Sequence, residues 1–232
     1  MRKNILLDRA RYKLVLDWCN ENGIAPQYSK IKLSQPLKDG VGNYQFNINK
    51  DNVNASVGEV GIDRNDLFIP FGFGLFHTID GVTPSGKYPL LSYPVQASAN
   101  ADGYRTKDIE ALYNGSLLIR LDQTQVNQSF PLEVFRYVPE TQPIAGVEAQ
   151  FDIEAAMHQL VPNYFLQGTF DTKIEVAFNG TGSSFAVAEK ATPTVASTTR
   201  QARLVFLMFG VLVKNGAEQP RINVLRSALS GI

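Results

Sequence analysis

Two stretches of the chain are apolar almost without interruption: Leu67-Phe68-Ile69-Pro70-Phe71-Gly72-Phe73-Gly74-Leu75-Phe76 and Leu204-Val205-Phe206-Leu207-Met208-Phe209-Gly210-Val211-Leu212-Val213. Both are rich in β-branched and aromatic residues and are bounded by turn signals, the pattern of strands buried on both faces or nearly so. Pro70 removes one ladder donor, so the first run is expected at a sheet edge or with a bulge at that point. In an uninterrupted strand Gly72 and Gly74 share one face and Phe71 and Phe73 the other. The bare glycine face would then admit a closely packed neighbour.

Between and around these runs the period is two. Ile31 and Leu33 alternate with Lys30, Lys32 and Ser34, and Tyr44, Phe46 and Ile48 alternate with Asn43, Gln45, Asn47 and Asn49. Leu117, Ile119 and Leu121 alternate with Leu118, Arg120 and Asp122, and Ile174, Val176 and Phe178 alternate with Lys173, Glu175 and Ala177. Such alternation predicts half-buried strands. Residues 130–138 read as a further strand, forming a hairpin-like pair with 117–121. Residues 151–160 read as a short helix.

The period is helical only at the two ends. Over residues 6–22, Leu7, Ala10, Leu14 and Trp18 form one apolar stripe, with Arg9, Arg11, Lys13 and Asp17 projecting elsewhere. Asn22-Gly23 stops this helix and Pro26 prevents its continuation. The stripe ends in the single tryptophan, so the helix is expected to dock, on its own domain or on a neighbouring subunit. At the other end, Ile222, Leu225 and Leu229 suggest an amphipathic tail.

The expected organisation is an N-terminal helix or arm over residues 1–28, a β-sandwich over 29–216 and a C-terminal tail over 217–232. About nine or ten strands without βα alternation predict an all-β fold. Loops of uneven length favour a jelly-roll-like sandwich over a simple meander. A compact double jelly roll is the alternative, because the 44–49 strand with its Phe-Gly run has an echo in 172–179 with Met208-Phe209-Gly210. Too little chain follows the second copy for a full repeat.

Composition narrows the partners. The 232 residues carry 22 basic and 22 acidic side chains and 44% apolar residues. A neutral balance argues against a dedicated nucleic-acid binder. The ends are nonetheless basic: Arg2, Lys3, Arg9, Arg11 and Lys13 face only Asp8, and Arg200, Arg203, Lys214, Arg221 and Arg226 face only Glu218. These could touch an anionic partner; solvated helix faces and ordinary tail charges are the plainer reading. Cys19 is the only cysteine, which excludes an internal disulfide and a cysteine-based zinc site. No signal peptide or membrane-spanning stretch is visible, and a cytoplasm is the expected place of folding.

Little in the sequence resembles reaction chemistry. Histidine occurs only at His77 and His158. His77 with Asp63, Asp66 and Asp80 is the single arrangement that could suggest a metal; a histidine at the sandwich rim among loop carboxylates is the simpler account. No GxSxG, phosphate loop, HExxH or dinucleotide fingerprint is present, and no carboxylate pair suggests a glycosidase. The expectation is no enzyme, no cofactor and no small-molecule substrate. Tyr88, Tyr93, Tyr104 and Tyr113 gather in the loop-rich middle of the chain, where tyrosines serve as a sugar platform or as anchors between proteins.

Several segments together resemble a known group of proteins. Tyr44-Gln45-Phe46-Asn47-Ile48, Asp66-Leu67-Phe68, Leu112-Tyr113-Asn114-Gly115-Ser116-Leu117, the stretch FRYVPETQ at 135–142, and Phe209-Gly210-Val211-Leu212-Val213-Lys214-Asn215-Gly216 look like pieces of capsid proteins of tailless icosahedral phages, including those of aquatic Bacteroidetes hosts. The likeness covers most of the chain loosely and carries no catalytic residue. It implies a shell protein with a jelly-roll core, made in the host cytoplasm and resident in the virion. Its partners would be copies of itself and other virion proteins, with its basic ends near genome or internal membrane. Leu7, Leu14 and Trp18 would clamp neighbouring subunits, so that Trp18→Ala impairs assembly more than folding. Tyr88, Tyr93 and Tyr104 would serve as further contacts. A β-sandwich recognition module, such as a spike, fibre or carbohydrate-binding protein using those tyrosines, is the alternative.

Overall fold

A computed structural model describes residues 9–37, 41–48, 62–80, 90, 92, 113–122, 124–125, 129–136, 156–159, 164–178 and 201–230. Helix α1 (Arg9–Glu21) is followed by strands β1 (Pro26–Pro36), β2 (Asn43–Ile48), β3 (Leu67–Asp80) and β4 (Ser116–Leu121). Four two-residue strands come next: β5 (Thr124–Gln125), β6 (Phe130–Pro131), β7 (His158–Gln159) and β8 (Leu166–Gln167). Strands β9 (Thr172–Ala177) and β10 (Gln201–Val213) and helix α2 (Ile222–Ser230) complete the order.

The strands form two five-stranded sheets in which every pairing is antiparallel. The first runs β1-β10-β3, with β7 and β8 both on the far side of β3. The second runs β2-β9-β4, with β5 and β6 both on the far side of β4. The pairing is nested: β1 meets β10, β2 meets β9, β3 meets β7 and β8, and β4 meets β5 and β6. The described strands make one sandwich around one inter-sheet core.

The two kinds of sequence pattern correspond to the two sheets. In the second sheet only one face is buried, so Tyr44, Phe46 and Ile48 point into the core while Asn43, Gln45 and Asn47 stay exposed. The first sheet is covered on both faces, which is why β3 and β10 read as continuous apolar runs. From β10, Leu204, Phe206, Met208 and Leu212 enter the inter-sheet core. Val211 and Val213 face the opposite way, packing with Leu67, Ile69 and Phe71 of β3 beneath Val15, Trp18 and Cys19 of α1 and Leu225 and Leu229 of α2. Further along that outer face, Val205, Leu207 and Phe76 pack with Ala156 and Met157.

A bulge accommodates Pro70. The register along β10 passes from Phe209 opposite Gly72 to Gly210 opposite Pro70, leaving Phe71 as the extra residue. The inserted residue shifts the phase of the strand. Phe71 consequently lies on the helix-covered face and Phe73 in the inter-sheet core, which overturns the expectation that the two phenylalanines share a face. Gly210 is required at this crossing: a Cβ there would lie 2.2 Å from the Ile69 carbonyl oxygen and 2.8 Å from the Phe68 ring.

Other expectations change on physical grounds. Of the strand expected over 130–138, the described residues keep Phe130–Pro131, after which Leu132–Phe135 turns as a 3-10 helix, burying both Leu132 and Phe135. Where the helix over 151–160 was expected, the described part contains strand β7, whose His158 and Gln159 pair with Phe73 and Gly72. In α1 the buried face consists of Arg11, Val15, Trp18 and Cys19, whereas Ala10 is exposed and Leu14 only partly buried. Leu7 lies outside the described residues.

A polar node ties the entrance of β3 to the exit of β10. Lys214 Nζ bonds Asp66 Oδ2 at 2.5 Å and Asp63 Oδ2 at 3.3 Å, and the Asn215 backbone N–H donates to Asp66 Oδ1 at 3.0 Å. The Lys214 ammonium is held above its ordinary range, chiefly by its hydrogen bond to Asp66. Asn215 takes a left-handed conformation at φ 54°, closing the turn that its Asn-Gly sequence announces. Asp66 is buried, so Asp66→Ala removes from the interior the acceptor of both the Asn215 N–H and the Lys214 ammonium. That substitution should cost about 2 kcal/mol in urea unfolding, against well under about 1 kcal/mol for Lys214→Ala, whose side chain is half in water.

Candidate assembly surface

The exposed groups, taken strand by strand, describe two distinct surfaces. The outer face of the second sheet is polar. Its cross-strand rows place Gln45 opposite Glu175 and Asn47 opposite Lys173, with Arg120 opposite Lys173 on the other side. Gln45 Nε2 donates to Asn47 Oδ1 at 2.8 Å, and Arg120 lies 3.6 Å from Glu175. Both members of that ion pair are more than a third exposed, so it contributes little to stability. What it does supply is a patterned, hydrogen-bonding face.

The second surface is the β1 edge with the adjoining side of α1. Tyr28 is 56% exposed, and its ring stacks on Tyr12 of α1 with centroids 4.9 Å apart. The Tyr28 hydroxyl is raised above its usual range, first by partial burial and then by its hydrogen bond to Tyr12. Sequence reasoning missed this pair. The signal was available: Ile31 and Leu33 fix the inward parity of β1, which sends Tyr28 to the outer face where the helix lies.

Both long outer strands carry features that oppose strand addition. Strand β1 begins and ends with proline and carries Lys30 and Lys32, devices that discourage edge-to-edge pairing. Gln35 Nε2 of β1 donates to the Gln45 carbonyl of β2 at 3.2 Å, so one sheet edge covers an outward acceptor of the other.

The residues singled out from sequence are dispersed. Arg2, Lys3 and Leu7, and also Tyr88, Tyr93 and Tyr104, lie outside the described residues. Arg9 opens α1 and Lys13 is exposed on it. Arg11, expected on the solvated face, is 1% exposed and cannot reach an anionic partner without unpacking the helix. Trp18 is also interior: it is buried in the cluster between α1, α2 and the first sheet, and its Nε1–H donates to the Pro220 carbonyl at 3.3 Å. The docking target of α1 is therefore its own domain, which corrects the clamp expectation for this residue. Cys19 beside it is buried, with its thiol pushed up to about 11 by that burial, so it stays protonated and unreactive.

Several other groups find partners inside the chain. Among the C-terminal basic residues, Arg203 donates to Ser34 Oγ at 3.0 Å, Arg221 lies 3.5 Å from Glu21 and Arg226 stands 5.3 Å over the Phe165 ring. Tyr113, grouped above with the loop tyrosines, is buried, and burial drives its hydroxyl far up. His158 donates from Nε2 to the Val134 carbonyl at 2.7 Å and packs edge-on against Phe130 and Phe135. His77 is a core residue rather than a rim residue, at 3% exposure. Asp63 and Asp66 are bound to Lys214, at the opposite end of β3 from His77. Among the described residues, no group of three or more His, Cys, Asp or Glu stands close enough to hold a metal ion.

The exposed arrangement thus offers contact surfaces: a polar sheet face, an aromatic stack beside a guarded edge, and helix flanks carrying single charges. Compared with protein-family models the chain matches none, and no curated protein matches it.

Proposed function

We propose that this chain is a virion structural protein, a capsid subunit with a jelly-roll core that assembles with copies of itself into an icosahedral shell. The nested strand pairing carries the reading. A jelly roll is a long antiparallel hairpin wrapped into two sheets, so its first strand pairs with its last, its second with its second-last, and so on inward. The orders β1-β10-β3-β7 and β2-β9-β4-β5 follow that rule, if the short strands β5 with β6, and β7 with β8, each count as one interrupted strand. Jelly rolls serve as viral capsid domains and also as lectin and cupin domains, and a fold alone does not choose among them. The resemblance of 44–48, 66–68, 112–117, 135–142 and 209–216 to tailless-phage capsid proteins favours the shell.

On this reading copies meet through faces and loops rather than by strand addition, because the β1 edge is guarded. Each contact is weak, and closure into a symmetric shell multiplies it. Arg2, Lys3, Arg9 and Lys13 are the basic groups proposed to face genome or membrane; buried Arg11 is not among them.

Light scattering of the purified protein over a range of salt and protein concentration, with negative-stain imaging of the same samples, tests the proposal. Closed shells, sheets or regular rings are expected. A monomer or small oligomer under every condition, including mixtures with other virion proteins, counts against it and turns attention to glycan binding by Tyr88, Tyr93 and Tyr104.

A further inference from the structure

Tyr28 is a large aromatic side chain that the fold leaves in water, at 56% exposure. One face of its ring is taken by Tyr12, with 4.9 Å between centroids and 27° between planes. The opposite face and the ring edge therefore supply that exposure. Tyr12 comes from α1 and Tyr28 from β1, so the ring is held between two elements that are fixed by the core. A rigid aromatic with one open face is a preformed stacking surface.

Strand parity sets cations beside it. Ile31 and Leu33 are buried in the inter-sheet core, so Tyr28, Lys30 and Lys32 share the outer face of β1. Lys30 is exposed and Lys32 partly exposed. Successive members of this row stand about 7 Å apart along the strand. On β10 the same face continues with the partly buried Phe209 opposite Lys30. At the far end comes Arg203 opposite Pro36, its guanidinium bonded to Ser34 Oγ at 3.0 Å. The acids of α1 fall elsewhere. Asp17 and Glu21 are turned about 140° and 180° round the helix from Tyr12, and Glu21 lies 3.5 Å from Arg221.

We propose that this row binds a segment of single-stranded nucleic acid, one base stacking on the open face of Tyr28 while Lys30 and Lys32 neutralise the phosphates that follow it. The balanced charge of the whole chain does not oppose this, because the field that meets a ligand is local. The chemistry favours a single strand over other anionic partners. A duplex keeps its bases stacked on one another and would meet the row through its phosphates alone. A membrane surface is held by an apolar helix face sunk among the lipids, whereas this row is a strand carrying stacked tyrosines and cations. The inference rests on the shell reading in one respect: that reading sets the basic start of the chain against genome or membrane, and the row beside α1 chooses the genome.

Fluorescence anisotropy of a labelled oligothymidylate, titrated with the full chain over a range of salt, tests the row. Tyr28→Ala should weaken binding roughly 10-fold, and Tyr28→Phe, which keeps the ring, should leave it within about twofold. Replacing both Lys30 and Lys32 by Gln should make the slope of log affinity against log salt shallower by about 1.4. Annealing the probe to its complement should weaken binding as well. Affinity unchanged by Tyr28→Ala overturns the proposal, as does equal affinity for the duplex. Retention on phosphatidylglycerol vesicles without binding of the oligonucleotide also overturns it, in favour of a membrane. The shell reading fails separately. Regular particles that form while the oligonucleotide stays unbound overturn the row alone, and Tyr28-dependent binding by a chain that never assembles supports the row while counting against the shell.

Discussion

Replacing Phe73 by alanine should lower the stability of the protein by roughly 3–5 kcal/mol, the range for a large aromatic removed from a packed core. Phe73 is 2% exposed and is the first inward residue after the β3 bulge. Its ring lies 5.5 Å from that of Phe130, 5.2 Å from Phe135 and 6.2 Å from Phe206. Phe206 in turn lies 6.2 Å from Phe46 of the second sheet. Phe73 is thus the junction of an aromatic chain that runs between the two layers and out to the turn after β6. Truncation leaves a cavity bordered by rings that are anchored on different strands and cannot all collapse into it. With total stabilities of 5–15 kcal/mol typical of such domains, urea unfolding should show a midpoint far below that of the wild type, at an unchanged slope. Phe73→Leu should cost about a third as much. A loss under about 1 kcal/mol for the alanine variant would mean that the aromatic chain does not join the sheets as described.

How much of this fold could be read from the sequence depended on how many residues each element had to show its period. Strands β2, β4 and β9 were legible because each offers three or more alternating positions beside a polar outer face. Strands β3 and β10 were legible for the opposite reason, since cover on both faces removed the polar positions altogether. The strands β5 to β8 contain two residues each, too few for any period, and are strands only because β3 and β4 supply the other half of the ladder. The phase of Phe71 and Phe73 was misread because one inserted residue reverses parity, although Pro70 had marked where such a bulge belonged. On α1, the expected and observed faces share Trp18 but differ elsewhere by one position, about 100° of rotation. The error came from scoring Arg11 as a polar residue, whereas the helix turns it inward beside Val15. The surface was less legible than the fold. Tyr28 fell at the end of the expected N-terminal arm, whereas the parity of β1 places it against Tyr12, and His77 looked like a rim residue because its burial depends on the facing sheet rather than on its neighbours in the chain.

Trp18→Ala should act on folding, by roughly 3–5 kcal/mol, and not selectively on association between subunits. The indole is buried among Val15, Phe165, Leu225 and Leu229, which hold α1 and α2 to the outer face of β3 and β10. Its Nε1–H also satisfies the Pro220 carbonyl just before α2, so the substitution removes both the packing and a bond that positions the second helix. Glu21 and Arg221 remain 3.5 Å apart, but both are mostly exposed and replace little of what is lost. Thermal melting followed by circular dichroism, with light scattering on the same samples below the transition, separates the two roles. A lowered melting temperature with unchanged particle mass in the folded range is the expected result. Melting like the wild type together with smaller particles would return Trp18 to an interface between subunits. Trp18→Phe sharpens the test: it keeps most of the buried ring and loses only the bond to Pro220, and should cost about 1 kcal/mol. An alanine variant scarcely worse than the phenylalanine variant would mean that the indole ring itself adds little to the join between the terminal helices and the sandwich.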